Sequence, residues 1–245
     1  MMQVQVFEDY DTLSRYAADI FLKQIKKKSD SVLGLATGGT PEGFYRHLIT
    51  SYKDQKLDFS RLRTFNLDEY YPIKREHPQS YWTFMHEHLF AYVNIPTSNI
   101  HLPNGETINV DAECDRYEEE IGANGGVDIQ ILGIGENGHI GFNEPGASFD
   151  SRTRMVELTK NTIQANSRYF DSEEDVPRHA ITMGIASIMQ SKKIVILAAG
   201  VKKAEAVAKA IQGEITEAMP ASILQKHPDV IFLLDKEAAS LLTHN

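Results

Sequence analysis

The 245-residue chain has one cysteine, one tryptophan and no apolar run that approaches the roughly 18 residues a membrane-spanning helix needs. Cys114 therefore has no partner for an intrachain disulfide. The N-terminus also lacks the charged flank and apolar segment of an export signal, so the expected compartment is the cytoplasm, with no membrane contact. Positive charge is short as well: 25 Lys+Arg against 34 Asp+Glu leave a formal charge of −9, and no run of five basic residues occurs. Such a balance argues against a protein that grips nucleic acid or an anionic lipid surface through its overall field. The densest basic patch, Lys26-Lys27-Lys28, ends an amphipathic stretch, where cations favour the carbonyl end of a helix.

What the chain does have is a series of short β-branched runs: Val4–Phe7, Val32–Ala36, Leu62–Leu67, Ile129–Ile134, Ile194–Ala199 and Val230–Leu234. Helix-length amphipathic stretches separate most of them. Nearly continuous apolar strands alternating with helices are the pattern of a parallel sheet covered on both faces. The expected architecture is thus a doubly wound, Rossmann-like α/β fold with a mostly parallel sheet and helices on both faces. No repeat or linker divides it, so residues 1–245 read as a single domain. In one helical stretch Cys114, Tyr117 and Ile121 share a face, which makes Cys114 a core thiol. The polar segment from Pro145 to Pro177 is weak in strand signal and reads either as a cover over a site or as an ordinary surface excursion, with 158–177 as the candidate lid.

In an open parallel sheet a ligand lies beyond the carboxyl ends of the strands. After Val32–Ala36 comes Thr37-Gly38-Gly39-Thr40-Pro41 and then a helix, for which Thr40 suits the N-cap and Pro41 the first turn. Two glycines before a helix start let the backbone approach an anion, so this turn reads as a phosphate cradle. No lysine follows the glycines, so it is not a Walker A loop. After Leu62–Leu67 come Asp68 and Glu69, of which only one can face a site; a carboxylate there is either a general base or a turn cap.

The run after Ile129–Leu132 contains a formal GxGxxG, Gly133 to Gly138, with Glu157 about 20 residues beyond it. Gly141, Pro145 and Gly146 interrupt the helix a dinucleotide would require. The same glycines can aim His139 and Glu144 into one space, where histidine is the natural proton carrier and Asn137, Asn143 and Glu144 stand close in sequence. His86 and His88 lie two apart in a helical stretch and diverge, so they do not share a metal.

Thr37-Gly38-Gly39-Thr40-Pro41, Phe65-Asn66-Leu67-Asp68-Glu69-Tyr70 and Gly138-His139-Ile140-Gly141-Phe142-Asn143-Glu144-Pro145, in this order, resemble the glucosamine-6-phosphate deaminase family. Asn166-Ser167-Arg168-Tyr169-Phe170 and Lys203 fit the same pattern, and the resemblance covers nearly the whole chain. It implies conversion of glucosamine 6-phosphate and water to fructose 6-phosphate and ammonia, with no metal or organic cofactor. In that chemistry His139, held by Glu144 and Asn137, would move protons during ring opening. Asp68 would carry a proton from carbon 2 to carbon 1. Thr37, Gly38, Gly39, Thr40, Arg168 and Lys203 would hold the sugar phosphate, the arginine through its planar fork and the lysine as a point charge.

Two departures stand out. Well-known members carry aspartate where this chain has Asn137, whose carbonyl can still orient the imidazole but leaves the imidazolium less stabilised. Longer members are hexamers activated by N-acetylglucosamine 6-phosphate through a serine, an arginine and a lysine. Here Arg154 matches the arginine, Ala147 and Val156 replace the other two, and the chain stops soon after Leu242. The expectation is hyperbolic kinetics without that activator, with self-association left open. Rival readings are a 6-phosphogluconolactonase-like hydrolase, which would not need a carbon base at Asp68, and a sugar-phosphate sensor. The sensor would need an upstream basic helix-turn-helix, and the first strand begins too early for one.

Overall fold

The computed structural model describes residues 2–167, 170 and 172–243, and all six apolar runs form strands in it. In chain order the elements are β1 (Met2–Phe7), α1 (Tyr10–Lys27), β2 (Val32–Leu35), α2 (Glu42–Asp54), β3 (Arg63–Asn66), β4 (Asp68–Tyr71), α3 (Tyr81–His88), β5 (Ile100–His101), α4 (Val110–Ala123), β6 (Ile129–Gly133), β7 (Arg154–Glu157), α5 (Lys160–Asn166), β8 (His179–Thr182), α6 (Ile185–Met189), β9 (Ile194–Ala198), α7 (Ala204–Gln212) and β10 (Val230–Asp235).

Seven strands form one sheet in the order β1-β10-β9-β6-β2-β3-β5, with every pairing parallel. The chain builds outward from β2 through β3 to β5 and then crosses back to lay β6 on the other side of β2. The strand order therefore reverses between β2 and β6, which opens a crevice at their carboxyl ends. β2, β9 and β10 are buried along their whole length, as strands covered on both faces must be. α1 shows how the helices attach. Asp9 accepts the Thr12 N–H at 2.8 Å to start it, Lys26 and Lys27 occupy its last turn, and Leu13, Ala17, Phe21 and Ile25 form its buried stripe. Burying one such large side chain contributes about 1.5–3 kcal/mol. Cys114 and Tyr117 of α4 are buried, and the Cys114 thiol is pushed up to about 11, first by burial and then by neighbouring carboxylates, as befits an inert core thiol.

Ahead of β2 and β6 the charges are matched. Asp128 accepts from Lys28 at 2.6 Å, from Lys192 at 2.7 Å and from the Val32 N–H at 2.8 Å. Burial pushes its carboxyl up, but those three donors outweigh burial and hold it below the usual carboxylate range.

A second sheet, the antiparallel β4-β8-β7, is not foreshadowed by the strand pattern. Leu67 alone separates β3 from β4, so the Asp68–Tyr71 stretch that reads as the end of the Leu62–Leu67 strand is a strand of its own, in the other sheet. Leu67 belongs to both sheets: its N–H donates to Leu35 O at 3.0 Å and its carbonyl accepts from Met183 N at 2.7 Å. β7 and β8 lie within or just beyond the polar 145–177 stretch, and Arg-Met-Val-Glu and His-Ala-Ile-Thr carry little strand signal because each is four residues long with only two apolar residues between polar ends. Beneath this sheet Tyr70, Ile73, Leu158, Ile163, Val176 and Ala180 form a small separate core, which ties the candidate lid segment to β4.

Candidate active site

A pocket of about 600 Å³ occupies the crevice beyond β2 and β6. It brings together all four proposed catalytic residues, Asp68, Asn137, His139 and Glu144, with Thr37, Thr40 and Lys203. Gly38 and Gly39 lie in the same turn but do not form its wall, and Arg168 lies outside the described residues.

The Thr37–Thr40 turn is held from behind. The Tyr10 hydroxyl of α1 donates to Thr40 O at 2.7 Å and accepts from the Gly43 N–H at 2.8 Å. The N-cap differs from the sequence expectation: α2 begins at Glu42, Pro41 is the flanking residue, and no side chain caps it. Tyr10 supplies the acceptor that Thr40 was expected to give, and Thr40 is left to line the pocket. Gly38 has φ +93°, a conformation that favours glycine. Among the described residues no protein acceptor is found for the N–H groups of Thr37, Gly38, Gly39 and Thr40. Free amides at a helix start suit an anion. Lys203, in the short turn after β9, faces them partly buried. Desolvation lowers its ammonium pKa, and Glu136 on the opposite rim acts against that shift.

β4 alternates its side chains, so Asp68 faces the pocket and Glu69 the opposite side, where a second cavity of about 340 Å³ opens. Asp68 is 6% exposed, and among the described residues its carboxyl has no hydrogen-bond partner. Burial first, and the Glu69 charge second, push it up to about 8. Gly141 lies over it with φ +57°; a Cβ there would sit 3.4 Å from Asp68 Oδ2 and 3.1 Å from Thr182 Oγ1.

The loop after β6 is built of turns, with Gly135 N donating to His139 O at 2.9 Å and Gly138 N to Gly135 O at 3.0 Å. The helix start that a dinucleotide needs at this GxGxxG is therefore replaced by turns. Gly135 lets the imidazole lie flat against the backbone, where a Cβ would collide with its ring. Asn137 Oδ1 accepts from both His139 N, at 3.2 Å, and His139 Nδ1, at 2.8 Å. A backbone N–H can only donate, so it fixes which end of the amide is oxygen and makes Nδ1 the protonated ring nitrogen. Nε2 is left for a ligand. The other end of Asn137 donates from Nδ2 to Glu144 Oε2 at 2.7 Å, and Thr162 Oγ1 donates to Glu144 Oε1 at 3.0 Å. Burial pushes the Glu144 carboxyl up, but His139, 3.5 Å away, together with Asn137 and Thr162, brings it below its ordinary value.

Tyr81, Thr159 and Thr162 also line the pocket, and sequence reasoning passed over them. Tyr81 read as part of a helical stripe, and nothing local marks a threonine in a polar segment as a partner for Glu144. Arg154, matched in sequence to an effector-binding arginine, instead donates to Asn143 Oδ1 at 2.9 Å, one residue before Glu144. Among the described residues no group of three or more His, Cys, Asp or Glu is placed to hold a metal ion, and no helix is long and apolar enough to cross a membrane.

Comparison with known proteins agrees with this geometry. A glucosamine-6-phosphate deaminase of Clostridium botulinum is 56% identical over 241 residues, covering 98% of this chain and 99% of that one. A deaminase of Thermoanaerobacter pseudethanolicus is 54% identical over 98% of this chain and 95% of its own. A solved monomeric glucosamine-6-phosphate deaminase superposes with a TM-score of 0.95 at 50% identity, covering 98% of this chain and all of that one. The 6-phosphogluconolactonase of Thermotoga maritima shares the fold at a TM-score of 0.76 and 22% identity. The family described as glucosamine-6-phosphate isomerases/6-phosphogluconolactonase matches residues 8–232, and the chain belongs to that family.

Proposed function

We propose that this chain is a glucosamine-6-phosphate deaminase, in which Asp68 and the His139–Asn137–Glu144 group divide the proton transfers between them. The observation that carries the reading is the buried Asp68 carboxyl, without a hydrogen-bond partner among the described residues, facing the same pocket as the imidazole. Hydrolysis of a lactone needs a base for water but none for a carbon acid, whereas an aldose–ketose shift needs a carboxylate of raised basicity beside the sugar.

The phosphate lies on the free amides of Thr37–Thr40, with Lys203 as its counter-charge. His139 Nε2 takes and returns the proton that must move from the carbon-1 hydroxyl to the ring oxygen as the pyranose opens. Asn137 keeps Nδ1 protonated, and Glu144 offsets the positive charge that the ring acquires. Asp68 then removes the carbon-2 proton from the open-chain aldehyde while one proton of the substrate's ammonium passes to the carbon-1 oxygen, giving an enol-amine, and Asp68 delivers its proton to carbon 1. The product is a protonated carbon-2 imine. Water adds to that imine, ammonia leaves, and fructose 6-phosphate remains. Asp68 and His139 end each turnover in their starting protonation states. The segment 158–177 acts as a cover through Thr159 and Thr162.

Arg154 is engaged with Asn143, and Ala147 and Val156 offer no side-chain polar group, so rate curves are expected to be hyperbolic and indifferent to N-acetylglucosamine 6-phosphate. By analogy with the monomeric relative, and with Cys114 buried and unpaired, we assign a cytoplasmic monomer. Incubation with glucosamine 6-phosphate should release ammonia and fructose 6-phosphate in equal amounts. Ammonia-free turnover of 6-phosphogluconolactone would instead favour the hydrolase.

A further inference from the structure

Glu69 has no part in these transfers, yet it is a 3%-exposed carboxylate adjoining the carbon base. It points away from the pocket and accepts three backbone N–H groups: Tyr70 at 2.9 Å and Tyr81 at 2.8 Å on Oε1, and Trp82 at 3.0 Å on Oε2. Tyr81 and Trp82 are the first two residues of α3, whose own N-cap, Ser80, accepts the Thr83 N–H further on. A helix start leaves its first N–H groups without partners, and here a carboxylate from a neighbouring strand supplies them. The helix it fixes brings Tyr81 back to the catalytic pocket. That ring lies 4.7 Å from Tyr70 and parallel to Phe142 of the His139 loop, at 6.2 Å and 10°.

We infer that Glu69 is a positioning residue for the deamination, one that clamps α3 and Tyr81 to β4 and sets its own carboxylate behind the strand, on the side of Asp68 away from the substrate. The inference rests on Asp68 being the carbon base. Two adjacent strand residues then do opposite work. One has no hydrogen bond from any described residue and is left to react, and the other is held by three backbone N–H groups so that the first stays in place.

The groups facing Asp68 from the packed elements are few. Tyr81 comes from α3, Tyr117 from α4, His139 and Glu144 from the β6 loop, and Lys203 from the turn after β9. Glu69 itself adjoins Asp68 in the chain and raises its pKa next after burial does. Burial pushes Glu69 itself up to about 7, against its three N–H donors. It lines the 340 Å³ cavity on the far face of the strand.

The experiment compares Glu69→Gln and Glu69→Asp with the parent enzyme in kcat and KM across pH. Glu69→Gln removes the charge and sets an amide donor against the Trp82 N–H. Its ascending pH limb should move at least ~0.5 unit toward acid, with kcat falling roughly tenfold and KM changing less than threefold. Glu69→Asp keeps the charge and should restore the position of the limb while leaving kcat depressed. A limb that stays put in Glu69→Gln, with kcat scaled equally at every pH, would assign Glu69 a purely structural role and overturn the inference. Should Glu69→Gln not fold, carboxyl-carbon NMR titration of the parent decides. Two coupled steps above the ordinary carboxylate range support the inference, and an Asp68 that titrates independently overturns it. An active Asp68→Asn enzyme would instead remove the underlying reading, a result separable from either outcome at Glu69.

Discussion

Asp68 and Glu144 are carboxylates in one pocket with opposite surroundings. Asp68 sits on the small antiparallel sheet, buried, with no hydrogen bond to its carboxyl among the described residues and a pKa pushed up to about 8. Glu144 sits on the loop from the large sheet, receives Asn137 and Thr162, stands 3.5 Å from an imidazole nitrogen, and is held below its usual value. The contrast supports the roles proposed for them: a carboxylate that resists ionisation is a good proton acceptor, and one that is satisfied when ionised is a fixed charge.

The sharpest way to break the comparison is to neutralise each in turn. Asp68→Asn should lower kcat by about 10³-fold or more. Stability should move the other way. The folded pKa of Asp68 lies above its unfolded value, so its ionised form is disfavoured by the fold. That cost is absent below about pH 4, grows as pH rises and is complete above about pH 8. Asp68→Asn should therefore raise Tm by roughly 3–6 °C at pH 8 and leave it unchanged near pH 3. Glu144→Gln should lower kcat by about 10²-fold and lower Tm by roughly 2–4 °C at neutral pH. Glu144 has the depressed pKa, so its contribution is present above the unfolded value and disappears as pH falls through the folded one. Calorimetry of both variants between pH 3 and 8 checks the pair of signs, and matching signs would remove the distinction.

A smaller effect is expected where the backbone makes room for the imidazole. Gly135→Ala would drive a methyl into the His139 ring and should reduce kcat by roughly tenfold or more with little change in phosphate affinity, measured by inhibition with inorganic phosphate. The smallest change concerns the amide between the two groups. Asn137→Asp would set a carboxylate against Glu144 across a contact now 2.7 Å long, where Asn137 donates. The cluster would then favour one more proton, and the acidic limb of the pH–rate profile should move up by about 0.5–1 unit, with kcat within tenfold of the parent. An unmoved limb would show that orientation alone matters at this position.

Much of this was legible in the residues. Apolar strand runs and the Thr-Gly-Gly-Thr turn specify the large sheet and its crevice because continuous burial and glycine dihedrals are local properties. The His139–Glu144 cluster was legible because its members are close in sequence. What the sequence concealed depends on distant partners. The cap on α2 comes from Tyr10, the support for Glu144 comes from Thr162, and the separation of β3 from β4 depends on β8 arriving to pair with Asp68–Tyr71. Asn137 read as a tolerated stand-in for aspartate, but its two ends bond two different catalytic groups, which only the geometry displays.

The two-sheet construction has a consequence for how the enzyme opens. Asp68 is held by the β4-β8-β7 ladder and its small core, while His139 and the Thr37–Thr40 turn are held by the seven-stranded sheet. Amide hydrogen exchange should divide the site along that line, with Tyr70 and Ile181 exchanging through a sub-global opening that leaves Leu35 and Leu132 protected. On the proposed mechanism, the base at Asp68 then belongs to a cooperative unit separate from the one that carries the proposed phosphate turn.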